Sequence, residues 1–272
     1  MKEVISSNSL FHFTRELRFL KSILQDGFRP NYCLENFDTF KFISGEDHFE
    51  MAVPMVCFCD IPLSKVKSHM NMYGYYGIGL SKPWGIQNGI SPLFYISPES
   101  ATTNSIYLSL MYLLNNPKFG WEESLDKQYD RLLRLIRFTK PYVGPFFRKG
   151  KFLKKPVTFY DEREWRYIPD VTGRTERNRV ELAKAWLDKA TFLQLRQNAD
   201  DAKGLPGIAA MNEELQRNFP LKFELSAIRY IIIKKENEIP ALLQTLKGVY
   251  KNDEIAIIAS KILTQKQIFE DF

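Results

Sequence analysis

Cysteine is scarce in this chain: three residues in 272, an odd number. That argues against a disulfide framework and for a reducing compartment. No apolar run approaches the roughly eighteen residues that a membrane-spanning helix needs. The opening stretch MKEVISSNSLFHFT has neither an apolar core nor a small-residue cleavage site, so no secretory signal is expected. A cytoplasmic protein without membrane association is the expectation. No repeat, low-complexity tract or linker stands out. The most telling absence is local. From Arg131 to Lys155 there are nine Lys or Arg and no Asp or Glu, although the net charge of the whole chain is only +6.

What is present is an ordinary apolar content of 44%, with 21 Phe and 13 Tyr, ample for a proper core. Phe11 to Thr14 reads as a short strand. Thr14 then caps a helix whose apolar stripe is Leu17, Leu20, Ile23 and Leu24, stopped by Gly27. MAVPMVCFCDIP reads as a buried strand, the segment from about Ser64 to Met72 as a short helix, and YGYYGIGLSKPWG as turn-rich. Further strands are expected in PLFYIS, PVTFYDEREWRYIP, AIRYIIIKK and EIAIIASKIL. Helical periodicity runs from Ile106 to Leu114, from Asp126 to Phe138, through IPALLQTLKGVY, and in one or two helices from Glu176 to Gln197. The class is α+β. A single domain over residues 1–272 is expected, with helical insertions at about 101–150 and 172–220.

The stretch YDEREWRYIP, Tyr160 to Pro169, concentrates charge ahead of an apolar strand. Glu162 and Glu164 are two apart, so on a strand they share one side. Carboxylates held side by side repel unless a cation, a donor or a ligand sits with them. A solvated strand edge with cross-strand ion pairs is the plain alternative, in which Arg166 simply neutralises one of the two.

Three blocks follow one another along the chain: LFHFT with His12, the glycine- and tyrosine-rich YGYYGIGLSKPWG, and EREWR. This order of His, aromatic and Glu-x-Glu resembles the His–Tyr–Glu type of ADP-ribosyltransferase. The opening FHFT is similar to that of DarT-type nucleic-acid ADP-ribosyltransferases and of RNA 2′-phosphotransferases. VCFCDIPLSKVKSHMNMYGYYGIGLSKPWG together with EREWRYIP resembles the AbiGi-type abortive-infection family of phage defence. The resemblance spans roughly residues 10–170, and 220–265 loosely. It implies a split β-sheet core of the ADP-ribosyltransferase kind and NAD as substrate. Glu164 would then stabilise the oxocarbenium ion formed as the glycosidic bond opens, and Glu162 would orient or deprotonate the acceptor. His12 would hold the other ribose with Thr14 nearby. Tyr73, Tyr75 and Tyr76 compete as the stacking tyrosine, with Tyr76 favoured because it precedes Gly77-Ile78-Gly79-Leu80. Arg15 and Arg166 are candidates for the pyrophosphate. The Ser-Thr-Ser signature of arginine-specific transferases is missing, which disfavours that subtype.

The basic window supplies the expected acceptor. Arg137, Lys140, Arg148, Lys149, Lys151 and Lys154 are interleaved with aromatic residues just ahead of the glutamates. Cations with aromatic platforms suit single-stranded nucleic acid, RNA ahead of DNA. A toxin in phage defence, with a cognate antitoxin as partner, is the leading reading. The alternative is a non-catalytic, antitoxin-like binding protein of the same fold. Two further readings are set aside. Cys57 and Cys59 with Cys33 and His69 match no common zinc spacing, so no metal is expected. A nuclease would want a lysine beside the carboxylates, and Glu164 is followed by Trp165 and Arg166.

Overall fold

The structure, a computed structural model, describes residues 6–39, 49–144, 146–148, 151–152, 155–171, 183–198 and 207–272. Its centre is a mixed sheet. Across it run Ile262–Thr264, Ile228–Ile233, Tyr76–Ser81, Ser9–Thr14, Glu50–Cys59, Glu164–Tyr167 and Ser91–Pro92. Neighbours along this row are antiparallel except for the first two. Glu50–Cys59 is the long spine, buried along almost its whole length, as its near-continuous apolar run requires.

That spine changes partners midway, and the change makes the site. Its first half pairs with Asn31–Asn36, from Asn36–Glu50 up to Asn31–Met55, and with Leu187–Asp188 at Ala52. Its last residue pairs with Ser9–Thr14 through Phe11–Cys59. Between Met55 and Cys59 neither strand reaches it, so the ladder opens. The Cys57 carbonyl in this gap accepts instead from the His12 ring, Nδ1 at 2.8 Å. A buried carbonyl needs a donor, and the side chain replaces the missing strand.

The glycine-rich block is a strand where the sequence pattern suggested turns. Tyr76–Ser81 lies between Ser9–Thr14 and Ile228–Ile233. Its glycines make room for rings that lie across the sheet. A Cβ on Gly77 would stand 2.8 Å from the Phe13 ring, and one on Gly79 2.6 Å from the Phe11 ring. The helix Leu17–Asp26 ends as expected, with Gly27 at φ 83° and its N–H on the Ile23 carbonyl. Its start differs. Glu16 holds the N-cap position, and Thr14 Oγ1 instead closes a local turn 3.3 Å from the Glu16 amide. EIAIIASKIL is also corrected: Asn252–Ala259 is a helix, and only Ile262–Thr264 is strand.

Two helices, Ala101–Leu114 and Glu123–Arg137, fill the first expected insertion. The chain then forms Thr139–Pro141, which pairs in parallel with Phe94–Ile96 in a small sheet of its own. In the second insertion Lys189–Asn198 and Ile208–Asn218 pack on the Asn31–Asn36 side around Leu215, Phe192 and Met211. Of the helix or helices expected from Glu176 to Gln197, the part up to residue 182 lies outside the described residues; beyond it the chain forms the strand Leu187–Asp188, and only Lys189–Asn198 is helix.

Candidate functional site

Glu162 and Glu164 do not share a strand. Phe159–Glu162 is a 3-10 turn, and Arg163 follows at φ 44°, the only non-glycine residue in the left-handed region among the described residues. Such a conformation is strained and persists where its surroundings impose it. Here the Arg163 carbonyl accepts from the Asp60 amide at 3.0 Å, tying the kink to the end of the spine strand. Glu164 opens the next strand, opposite Cys59. The kink turns both carboxylates to one point, where Lys140 Nζ stands 3.0 Å from Glu162 Oε2 and 2.8 Å from Glu164 Oε2. The cation that two adjacent carboxylates require is therefore Lys140, contributed by Thr139–Pro141 from outside the main sheet.

Arg166 completes the cluster. It is fully buried. Nε donates to Glu164 Oε1 at 2.6 Å, one terminal nitrogen to Glu35 Oε2 at 2.6 Å, and the other to the Arg137 carbonyl at 3.0 Å. Glu162 Oε1 accepts from the Tyr73 hydroxyl at 2.5 Å. The Glu164 amide donates to the Tyr95 hydroxyl at 2.7 Å. The two carboxylates consequently differ. Burial pushes the Glu162 carboxyl up despite Lys140, whereas Glu164, equally buried, is held well below the ordinary carboxylate range by Arg166 and Lys140.

A cavity of about 160 Å³ opens onto this cluster, with His12, His69, Tyr73, Phe146, Glu162 and Glu164 among its walls. The Tyr73 ring lies 4.4 Å from that of His69 and 6.3 Å, edge-on, from that of Phe146. Burial holds both histidines neutral; His69 is pushed down to about 4. In neutral His12 the Nδ1 proton is committed to Cys57, which leaves Nε2 as an acceptor. His12 and Cys57 also line a second cavity of about 600 Å³ in the gap of the ladder, with Thr14, Phe19 and Asn31. The two cavities thus meet at His12.

The residues singled out in the sequence separate clearly. His12, Tyr73, Glu162 and Glu164 converge, and Thr14 lines the adjoining cavity. Tyr76 does not: its ring is buried in the main core and its hydroxyl donates to Glu238 at 2.7 Å. Tyr73, at the end of the helix Lys67–Tyr73, is the tyrosine of the cleft. Arg15 is exposed, and Arg166 has its donors committed to carboxylates and a carbonyl. Arg137 and Lys140 leave the basic strip. Arg137 is buried and donates to the Ala185 and Leu133 carbonyls, and Lys140 belongs to the carboxylate cluster. Arg148 and Lys151 face each other in a two-stranded hairpin whose side chains are not described. Lys149 and Lys154 lie outside the described residues.

Sequence reasoning missed Glu35, and it weighed His69 only as a zinc ligand and set it aside. Glu35 sits on a strand remote in sequence from Arg166, with no local signal. His69 had one: it lies one helical turn before Tyr73, so the two share a face. The lysine wanted beside the carboxylates is also present, brought from position 140 through space. Among the described residues, no three or more His, Cys, Asp or Glu stand where they could hold one metal ion.

The model of the family described as "Putative abortive phage resistance protein AbiGi, antitoxin" matches residues 26–234. An abortive phage resistance protein AbiGi of Lactococcus lactis subsp. cremoris is 32% identical over 262 residues, covering 90% of this chain and 99% of that protein. No solved structure matches the chain significantly. With most of its length matched by the family model and by this relative, the chain belongs to the AbiGi abortive phage resistance family.

Proposed function

We propose that the cleft transfers ADP-ribose from NAD to a nucleic acid, and that the chain acts in the cytoplasm as an effector of phage defence. The observation that carries this reading is convergence: His12, Tyr73, Glu162 and Glu164 come from three separate stretches of chain and line one cavity. The split of the sheet beside His12 adds a second, larger cavity for the remainder of a dinucleotide. In the reaction the bond between ribose and nicotinamide breaks, and its electron pair leaves with the nicotinamide. Glu164, held ionised, stabilises the oxocarbenium ion left behind. Glu162, whose carboxyl is pushed up by burial, takes the proton of the attacking acceptor group. Neutral His12 accepts from a ribose hydroxyl through Nε2. The acceptor is assigned as nucleic acid, RNA ahead of DNA, through Arg148, Lys149, Lys151 and Lys154, which lie between Lys140 and Glu162 in the chain.

A second reading, a non-catalytic binding protein of antitoxin type, draws on one observation. Glu164 is neutralised by two cations, and every carboxylate oxygen of the pair already has a donor. The family description also carries the word antitoxin. Transfer of label from adenine-labelled NAD into RNA, DNA and protein pools separates the two. Label entering nucleic acid with the wild type, and lost in Glu162→Gln and Glu164→Gln, is the expected result. No transfer by folded wild type, together with harmless expression, favours the binding protein.

A further inference from the structure

Three carboxylates, Glu35, Glu162 and Glu164, meet two cations, Lys140 and Arg166. With all of them ionised the cluster keeps one negative charge, and it faces a cavity walled by the rings of Tyr73, His69 and Phe146. The two cations are held differently. Arg166 is part of the main sheet and donates to two carboxylates and a backbone carbonyl. Lys140 stands on a strand paired outside that sheet and lines the cavity itself. Its ammonium lies between the two glutamates and 4.4 Å from the Phe159 ring centre. A flexible four-carbon stem lets an ammonium move without disturbing the backbone, which a guanidinium fixed by several bonds does not do.

We infer that the Lys140 ammonium is a tethered competitor: it occupies the place between Glu162 and Glu164 where the positive charge of a ligand is held, so that the Lys140 contact and ligand entry exclude each other. The inference rests on the reading of this cleft as a ligand site, and it names the ligand class as a planar organic cation. Carboxylates select the charge, and the aromatic walls select a ring. The cavity of about 160 Å³ has room for a single small ring. A competitor that occupies the site most of the time lowers apparent affinity by the fraction of time the site is free.

The test titrates 1-methylnicotinamide, a pyridinium cation, and neutral nicotinamide into wild type, Lys140→Met and Lys140→Arg by calorimetry, with NAD alongside. Lys140→Met is expected to bind the cation about ten-fold tighter or more, with no comparable gain for neutral nicotinamide and none in Lys140→Arg. The wild type provides a readout that no folding defect can blur. Reductive methylation of the Lys140 amine, mapped by mass spectrometry, is expected to speed up when 1-methylnicotinamide is added. Unchanged methylation at saturating cation overturns the inference, as does no gain, or no binding, in a folded Lys140→Met. NAD bound by wild type without a gain in Lys140→Met removes the competitor and leaves the NAD reading standing. A gain for the cation without NAD binding does the reverse.

Discussion

Arg166→Met is the sharpest probe of the cluster. Methionine roughly replaces the length of the side chain and removes its charge. Arg166 is fully buried and donates to Glu164, Glu35 and the Arg137 carbonyl. Its loss strands Glu164 and Glu35 with Lys140 as their only cation among the described residues, 2.8 Å from the first and 3.8 Å from the second. Breaking a buried pair by removing one partner costs about 3–5 kcal/mol, because the remaining charge is uncompensated. For a chain of this size that lowers the melting temperature by roughly 6–20 °C. Urea unfolding followed by tryptophan fluorescence reads the effect, since Trp165 is its neighbour in the strand. The pH dependence carries the stronger test. In the wild type Glu164 has a lowered pKa, so its contribution is full above the unfolded value near 4.5 and is lost as pH falls through the folded value. In the variant burial dominates and the carboxyl takes up a proton instead. The difference between variant and wild type should therefore shrink from neutral pH towards pH 5. A loss below about 1 kcal/mol, the size of a surface pair, or a loss independent of pH refutes the reasoning.

The glutamates should respond unequally to amide substitution. Glu162→Gln, at a carboxyl pushed up by burial and bonded to Tyr73, is expected to change stability by about 1 kcal/mol or less in urea unfolding, whereas Glu164→Gln breaks the close pairs that one buried carboxylate makes with both Arg166 and Lys140 and costs about 3–5 kcal/mol. Gly74→Ala should abolish soluble expression or the cooperative melt: Gly74 has φ 132°, and a Cβ there would lie 2.0 Å from the Thr14 carbonyl oxygen. Acidification should destabilise the fold between the ordinary histidine value of 6.5 and about 4, where His69 charges in the unfolded chain but not in the folded one. His69 alone accounts for up to about 3 kcal/mol, and His12, shifted the same way, adds to it. His69→Gln should flatten this limb of the stability–pH curve.

What the sequence made legible was local chemistry, and what it hid was convergence. The helix after His12 and its Gly27 stop follow from periodicity and from the positive φ that glycine supplies. Glu162 and Glu164 stood out because like charges so close demand a partner. The partner itself could not be read, since Lys140 arrives from a separate small sheet and looked like one of nine cations in a basic run. The glycine-rich block misled for a physical reason: Gly77 and Gly79 make way for Phe13 and Phe11, and from sequence alone the need for space looks the same as the need for a turn. The same block favours Tyr76 over Tyr73 in the sequence. Strand alternation then sends Tyr76 into the core, while the preceding helix delivers Tyr73 to the glutamates.

Stability alone gives a poor account of the cluster. Buried ion pairs are costly to desolvate, and well-packed apolar residues of similar volume often serve the fold as well or better. A cluster kept only for architecture would also need no access to a cavity. Here Lys140, Glu162 and Glu164 border one, beside a neutral His12 whose Nε2 is left as an acceptor and beside a left-handed Arg163 between the two glutamates. Strain, buried charge and an open wall in one place are what a site requires and a core avoids. Transferase and antitoxin-type binding readings share this conclusion, and they part at what Glu164 does. If the Lys140 ammonium yields to a ligand, Glu164 is bared for chemistry; if it stays, Glu164 acts with Lys140 still beside it or serves only as a structural anion.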